Sequence, residues 1–375
     1  MRSTIAALLL LLPCFAFAQG EPRIKIVKSS KLNIAIAGLA GADLETLRRD
    51  LSNSGYFAVT AADQAQYTAK GSGGGEWQGV LSDREGKTAL SKTYSGSGRD
   101  RVHRFADDIV EALTGGRGMA STKIAFVGTR TGKKEIYTCD ADGSNLVQLT
   151  HDGTISVSPS ISPDGQSLIY TGYQSGYADV YRVQIASGAR SRIIKYPGTN
   201  SGARFSPDGS RIAVTLSKDG NPEIYVTSSS GGSARRVTHA AGVDSSPTWS
   251  PNGSELIYSS DEGGSPQLYR ISSSGGSPVR LSTGFGYNTE PNWSPDGKKV
   301  AFNTRAGGSF TVAILDLAGG GVRTVGEGQD PVWGGDSRHL LFSSGGSLVM
   351  LDAQSGTRVT VVSGAGKISE PTWSR

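Results

Sequence analysis

The stretch Phe205-Ser-Pro-Asp-Gly209 sets a serine hydroxyl two residues from a carboxylate beside a permissive glycine, residue types that can serve nucleophilic or acid–base chemistry. Ser162-Pro-Asp-Gly165, Ser250-Pro-Asn-Gly253 and Ser294-Pro-Asp-Gly297 repeat it. A catalytic site seldom occurs four times. Asn252 replaces the aspartate in one copy, and in Trp333-Gly-Gly-Asp-Ser337 the pair Gly334-Gly335 replaces Ser-Pro. A turn tolerates such exchanges and a catalytic group does not. Proline presets φ, aspartate bonds nearby amides and glycine takes the positive φ of a chain reversal, so the stretch reads as a hairpin turn.

Other chemistry is equally thin. There is no Gly-x-Ser-x-Gly elbow, dinucleotide fingerprint or phosphate loop. His103, His151, His239 and His339 lie far apart with no metal-ligand spacing. Asp140-Ala-Asp-Gly143 resembles a fragment of a calcium loop, but Ser228 to Gly232 and Ser272 to Gly276 fill the same slot elsewhere, which makes it a turn. The run Gly71 to Gly75 lacks a following Lys-Ser/Thr and reads as a mobile loop. No catalytic, cofactor-binding or metal-binding residue is expected.

The elements that carry these turns repeat. Ser162, Ser206, Ser250 and Ser294 are each 44 residues apart, and degenerate copies follow at Trp333 and Trp373. Each turn precedes an apolar strand, such as Arg211-Ile-Ala-Val214, then a second strand, such as Glu223-Ile-Tyr-Val226, and a short third one. Four short strands per 40 to 45 residues is the pattern of a β-propeller blade. Six innermost strands are counted. The outer strands Lys123 to Val127, Glu135 to Thr138 and Val147 to Thr150 have no inner strand ahead of them, whereas Ile368 to Arg375 has nothing after it. These pieces complete one blade and close the ring.

Residues 31 to 117 do not repeat. Strand Leu32 to Ile36, helix Ala42 to Ser52, the hairpin of Trp77 to Leu81 and Thr88 to Tyr94, and helix Asp100 to Leu113 suggest a small α/β domain. The fold class is therefore mainly β, a six-bladed β-propeller over 118–375 preceded by an α/β domain over 31–117.

Gly at 52 of 375 residues favours tight turns, and a formal charge of +5 on scattered Lys and Arg lacks the basic stripe of a nucleic-acid binder. Arg2, the apolar run Ile5 to Phe17 and Ala16-Phe17-Ala18 read as an export signal over 1–18, cleaved after Ala18. No second apolar run follows, so no membrane span is expected, and a periplasmic monomer fits. Residues 19–30 hold Gln19-Gly-Glu-Pro-Arg-Ile-Lys-Ile-Val27, whose alternation fits either the first strand of the α/β sheet or an arm that pairs with a partner's sheet edge.

The chain resembles the TolB family, the periplasmic component of the Tol–Pal system, in Phe205-Ser-Pro-Asp-Gly-Ser-Arg-Ile-Ala213, Ser217-Lys-Asp-Gly220, Pro247-Thr-Trp249, Thr289-Glu-Pro291 and Pro371-Thr-Trp-Ser374. The resemblance covers essentially the mature chain, more strongly in the propeller. It implies a non-enzymatic adaptor that binds the lipoprotein Pal at one propeller mouth and TolA through the N-terminal region, in support of outer-membrane integrity and cell division. Pal-facing positions would be Thr199, Asn200, Ser245, Ser246, Thr289 and Glu290, and the arm would offer Glu21, Arg23 and Lys25 to TolA. Thr199 stands where the family usually has histidine, and Ser245-Ser-Pro247 where Thr-Glu-Pro is expected. Rival readings are an exported propeller that binds a glycan or another protein, or a hydrolase using Asp244, Glu290, Asp330 or Glu370 at the channel mouth.

Overall fold

The computed structural model describes residues 31–73, 76–96, 98–319 and 321–374. The expected export signal and the segment holding Glu21, Arg23 and Lys25 lie outside the described residues.

Strand β1 (Leu32–Ala37) leads through helix α1 (Gly41–Asn53) to β2 (Phe57–Val59); β3 (Tyr67–Ser72), β4 (Trp77–Asp83) and β5 (Thr88–Tyr94) follow, and helix α2 (Arg99–Thr114) ends the unit. The sheet order is β2-β1-β3-β4-β5, parallel around β1 and antiparallel beyond β3. Val102, Phe105, Ile109 and Leu113 of α2 face the sheet, and Trp77, Tyr94 and Phe105 meet edge to face at 5.4–5.7 Å. Gly71 was expected in a mobile loop and is instead part of β3. A Cβ there would lie 2.5 Å from atoms of Leu39 and Trp77, so the glycine lets strand and core approach.

Six four-stranded antiparallel sheets make the ring. Blades 1 to 5 begin with the innermost strands Ser156–Ile161, Asn200–Phe205, Asp244–Trp249, Asn288–Trp293 and Gln329–Trp333. The sixth combines β6 (Lys123–Gly128), β7 (Glu135–Asp140) and β8 (Val147–Gln148) with the C-terminal strand Ser369–Trp373, which pairs Trp373 with Ile124. The ring closure read from the repeat is thus present. Phe205, Trp249, Trp293, Trp333 and Trp373 end successive inner strands, nearly or fully buried between blades.

The repeated turns are held from within. The Ser206 hydroxyl donates to Asp208 Oδ1 at 2.5 Å and accepts the Arg211 amide at 2.9 Å, while Gly209 adopts φ +71°. Hydrogen bonds from Ser206 and Ser210 hold the Asp208 carboxyl at about 2. In the degenerate copy Ser337 takes the left-handed position, with φ +57°. The serine and aspartate are scaffold.

Candidate functional site

Every innermost strand carries one irregularity at the same place, four residues before its turn. Ser158, Gly202, Ser246, Glu290, Asp330 and Glu370 all adopt positive φ, between 50° and 62°, where the strand shifts register against its neighbour. A bulge re-aims a side chain, and these six residues line the central channel, a cavity of about 770 Å³. Its halves differ. Glu290, Asp330 and Glu370 place carboxylates on three consecutive blades, whereas Ser158, Gly202 and Ser246 leave the other half small.

Arg204 is the cation set among the three acids, and exposed Lys134 also lines the channel. Arg204 projects from the blade 2 inner strand and donates to the Ser158 carbonyl at 3.2 Å and the Ala203 carbonyl at 3.1 Å. Burial lowers its pKa against the pull of Glu290, Glu370 and Asp330. Glu370 accepts the Ser158 amide at 2.6 Å, and Glu290 accepts the Ser246 hydroxyl at 2.8 Å. Asp330 accepts the Glu370 amide at 2.9 Å, a weaker set of partners than its setting demands. Burial, reinforced by the charge of Glu290, raises Asp330 to about 7, and burial also raises Glu290. The channel therefore holds more acid than its own arginine neutralises.

Ser245, Ser246 and Glu290 line the channel as a group. Thr289 is half-buried one residue before Glu290, and Thr199 is exposed on the loop entering blade 2. Asn200 is fully buried and braces that loop, donating to Ala178 O at 3.0 Å and Tyr196 O at 2.8 Å. Asp244 occupies the equivalent place in blade 3, also fully buried and away from the channel lining, so the four acids of the hydrolase reading do not converge. Burial, then nearby Glu223, raises Asp244 to about 6. Sequence reasoning missed Ser158 and Arg204. The proline that follows five of the six bulge residues was the available signal for the ring.

The channel opens on the face formed by the loops that enter the innermost strands. There Ile155, Tyr173 and Tyr177 of blade 1 are 44%, 37% and 73% exposed, and the Tyr173 amide donates to the Ile155 carbonyl at 3.2 Å. An acidic cavity with exposed Ile155 and Tyr173 in its lining is suited to a protein partner. The α/β domain sits at the opposite face. Arg338, beside the blade 5 turn, donates to the Gly55 carbonyl at 2.9 Å and stacks on Tyr56 at 4.0 Å.

Six four-stranded sheets closed around a channel define a six-bladed β-propeller. The family model for the TolB beta propeller domain matches residues 110–375, and the chain belongs to that family. The Tol-Pal system protein TolB of Bordetella parapertussis is 34% identical over 240 residues, covering 54% of each chain. A TolB homolog of Chlorobaculum tepidum is 44% identical over 131 residues, 32% of this chain and 30% of that protein. The matched segments thus span about a third to a half of these relatives. The crystal structure of TolB from Acinetobacter baumannii superposes with a TM-score of 0.82 at 26% identity, covering 92% of this chain and 97% of that one.

Proposed function

We propose that the chain is a non-enzymatic, monomeric periplasmic adaptor of the Tol–Pal system, which docks the lipoprotein Pal at the propeller mouth and engages TolA through its N-terminal region, supporting outer-membrane integrity and cell division. The observation that carries the reading is the mouth itself. Excess carboxylate faces an open cavity beside exposed Ile155, Tyr173 and Tyr177, on the face opposite the contacts of the α/β domain. The family membership supports the Tol–Pal assignment. Among the described residues no helix is long and apolar enough to cross a membrane.

Glu290→Arg reverses a charge at the centre of the mouth and is expected to weaken Pal binding at least tenfold, about 1.4 kcal/mol. Deleting Gln19 to Val27 is expected to weaken TolA binding and leave Pal binding measurable. Calorimetric titration of the purified chain with each partner checks both. Unchanged Pal affinity in a folded Glu290→Arg protein, or loss of Pal binding on deleting the segment, would sink the two-region assignment.

A further inference from the structure

The α/β domain and the propeller meet at a buried cluster of charge. His103 of α2 is 2% exposed, and its Nδ1 lies 2.7 Å from Asp50 Oδ2 on α1. Its Nε2 has no hydrogen-bond partner and faces Asp140 Oδ2, at the end of β7, across 3.8 Å. Asp142 stands in the turn after β7, and ligand atoms of His103, Asp140 and Asp142 fall within 4.8 Å of one another. That spacing could suit a divalent cation, yet both carboxylates are engaged. Lys123 pairs with Asp140, while Arg99 and Arg49 pair with Asp142. A dication would arrive beside three fixed positive charges.

A single proton fits better. Asp50, Asp107, Asp140 and Asp142 surround His103, and among the described residues only Asp140 and Asp142 pair with a lysine or arginine, Lys123 for the first and Arg99 and Arg49 for the second. Burial raises Asp50 and Asp107, the mark of a cluster that holds a proton, and His103 is its most basic candidate holder. Burial alone would lower His103, but the hydrogen bond and charge of Asp50, then Asp142 and Asp140, leave it raised above 6.5. Asp142 resists burial through hydrogen bonds from Ser144 and the charges of Arg99 and His103, and is lowered. His339, from blade 5, lines the same small cavity as Asp50 and Asp107, with its Nδ1 2.5 Å from Asp336.

We propose that His103 is held as an imidazolium that ties α1 to the propeller through Asp50 and Asp140, making the grip between α/β domain and propeller dependent on protonation. The folded-state pKa lies above the unfolded one. The stabilisation is therefore complete below about 6.5 and is lost as pH rises through the folded value.

The test uses the full chain. Histidine Cε1 resonances are titrated by NMR, with His103→Gln assigning the signal, and amide exchange across α1 and the turn after β7 is compared at pH 6 and pH 8.5. Titration above 6.5 is expected. Exchange corrected for intrinsic rates should be at least tenfold faster at the higher pH, and that difference should vanish in His103→Gln. Should that variant fail to fold, Asp140→Asn should lower the His103 titration point. The proposal is overturned by titration at or below 6.5, or by an equal pH dependence in His103→Gln. Stoichiometric zinc uptake at neutral pH that His103→Gln abolishes would also overturn it, in favour of a metal ligand.

Discussion

The channel and the domain interface both gather carboxylates around basic groups, yet they pair them differently. In the channel, pseudo-sixfold repetition puts Glu290, Asp330 and Glu370 at one backbone position on neighbouring blades, opposite Arg204 and beside a cavity that Lys134 also lines. Asp330 and Glu290 are pushed up and Arg204 down. At the interface Asp142 has two arginines and is lowered, whereas burial raises Asp50 and Asp107, and Asp107 and Lys123 line a cavity of about 560 Å³. On the adaptor reading proposed above, surplus acid beside open space receives something outside the chain. Ion pairs that run from Arg49 and Arg99 of the helices to Asp142 of the propeller form an internal joint.

Trp373 touches both regions, since it lines the channel and the small cavity behind it and donates from Nε1 to Thr122 Oγ1 at 2.6 Å. Trp373→Ala should cost about 3–5 kcal/mol in denaturant unfolding. Removing Glu370 to Arg375 should cost more, because the closing blade loses its inner strand. A truncated chain that melts with the intact one would contradict the closure. Arg338→Ala tests the domain contact together with a pair inside blade 5. It strands Asp352, held by Arg338 at 2.6 and 3.0 Å, and should cost about 3 kcal/mol, measured by urea unfolding and partly restored by lysine.

Arg204→Met tests the channel. Water reaches this half-buried group, so the loss should be nearer about 2 kcal/mol than the larger cost of breaking a fully buried pair. Asp330→Asn should have the smallest effect and the opposite sign. A carboxyl raised from 3.8 to about 7 binds its proton better in the folded state, so wild-type stability falls as pH rises across that window. The asparagine lacks that fall. At pH 8 the variant should be about 1 kcal/mol more stable, after discounting for water in the channel, with no gain at pH 3. Thermal melts across pH check the crossover, and a gain of the same size at pH 3 would refute the assigned cause.

Much of this fold was legible because a blade is a local object. The Ser-Pro-Asp-Gly turns and apolar strands recur within one period, so each copy corroborates the others. Phe57–Val59 escaped because three residues show no usable alternation, and Tyr67–Ser72 because its Lys70 and Gly71 resemble loop residues. Glu290 could be singled out from its Thr-Glu-Pro context. Arg204 could not, since its role depends on acids contributed by blades 4, 5 and 6. His103 and Asp140 belong to different structural units, and only the docking of α2 against β7 brings them together.

Closure by the last strand also governs the order of assembly. The Lys123 amide donates to the Ser374 hydroxyl across 251 positions of chain, and joining ends that distant costs an entropy of about 5 kcal/mol before any contact compensates. The inner edge of β6 consequently stays unpaired until the C-terminal strand reaches it. The α/β domain precedes β6 in the chain and needs no distant strand, so it can form early and rest on the turn after β7. Until the C-terminal strand pairs, the inner edge of β6 is an open template that a neighbouring molecule can capture, and pairing with Ser369–Trp373 removes it.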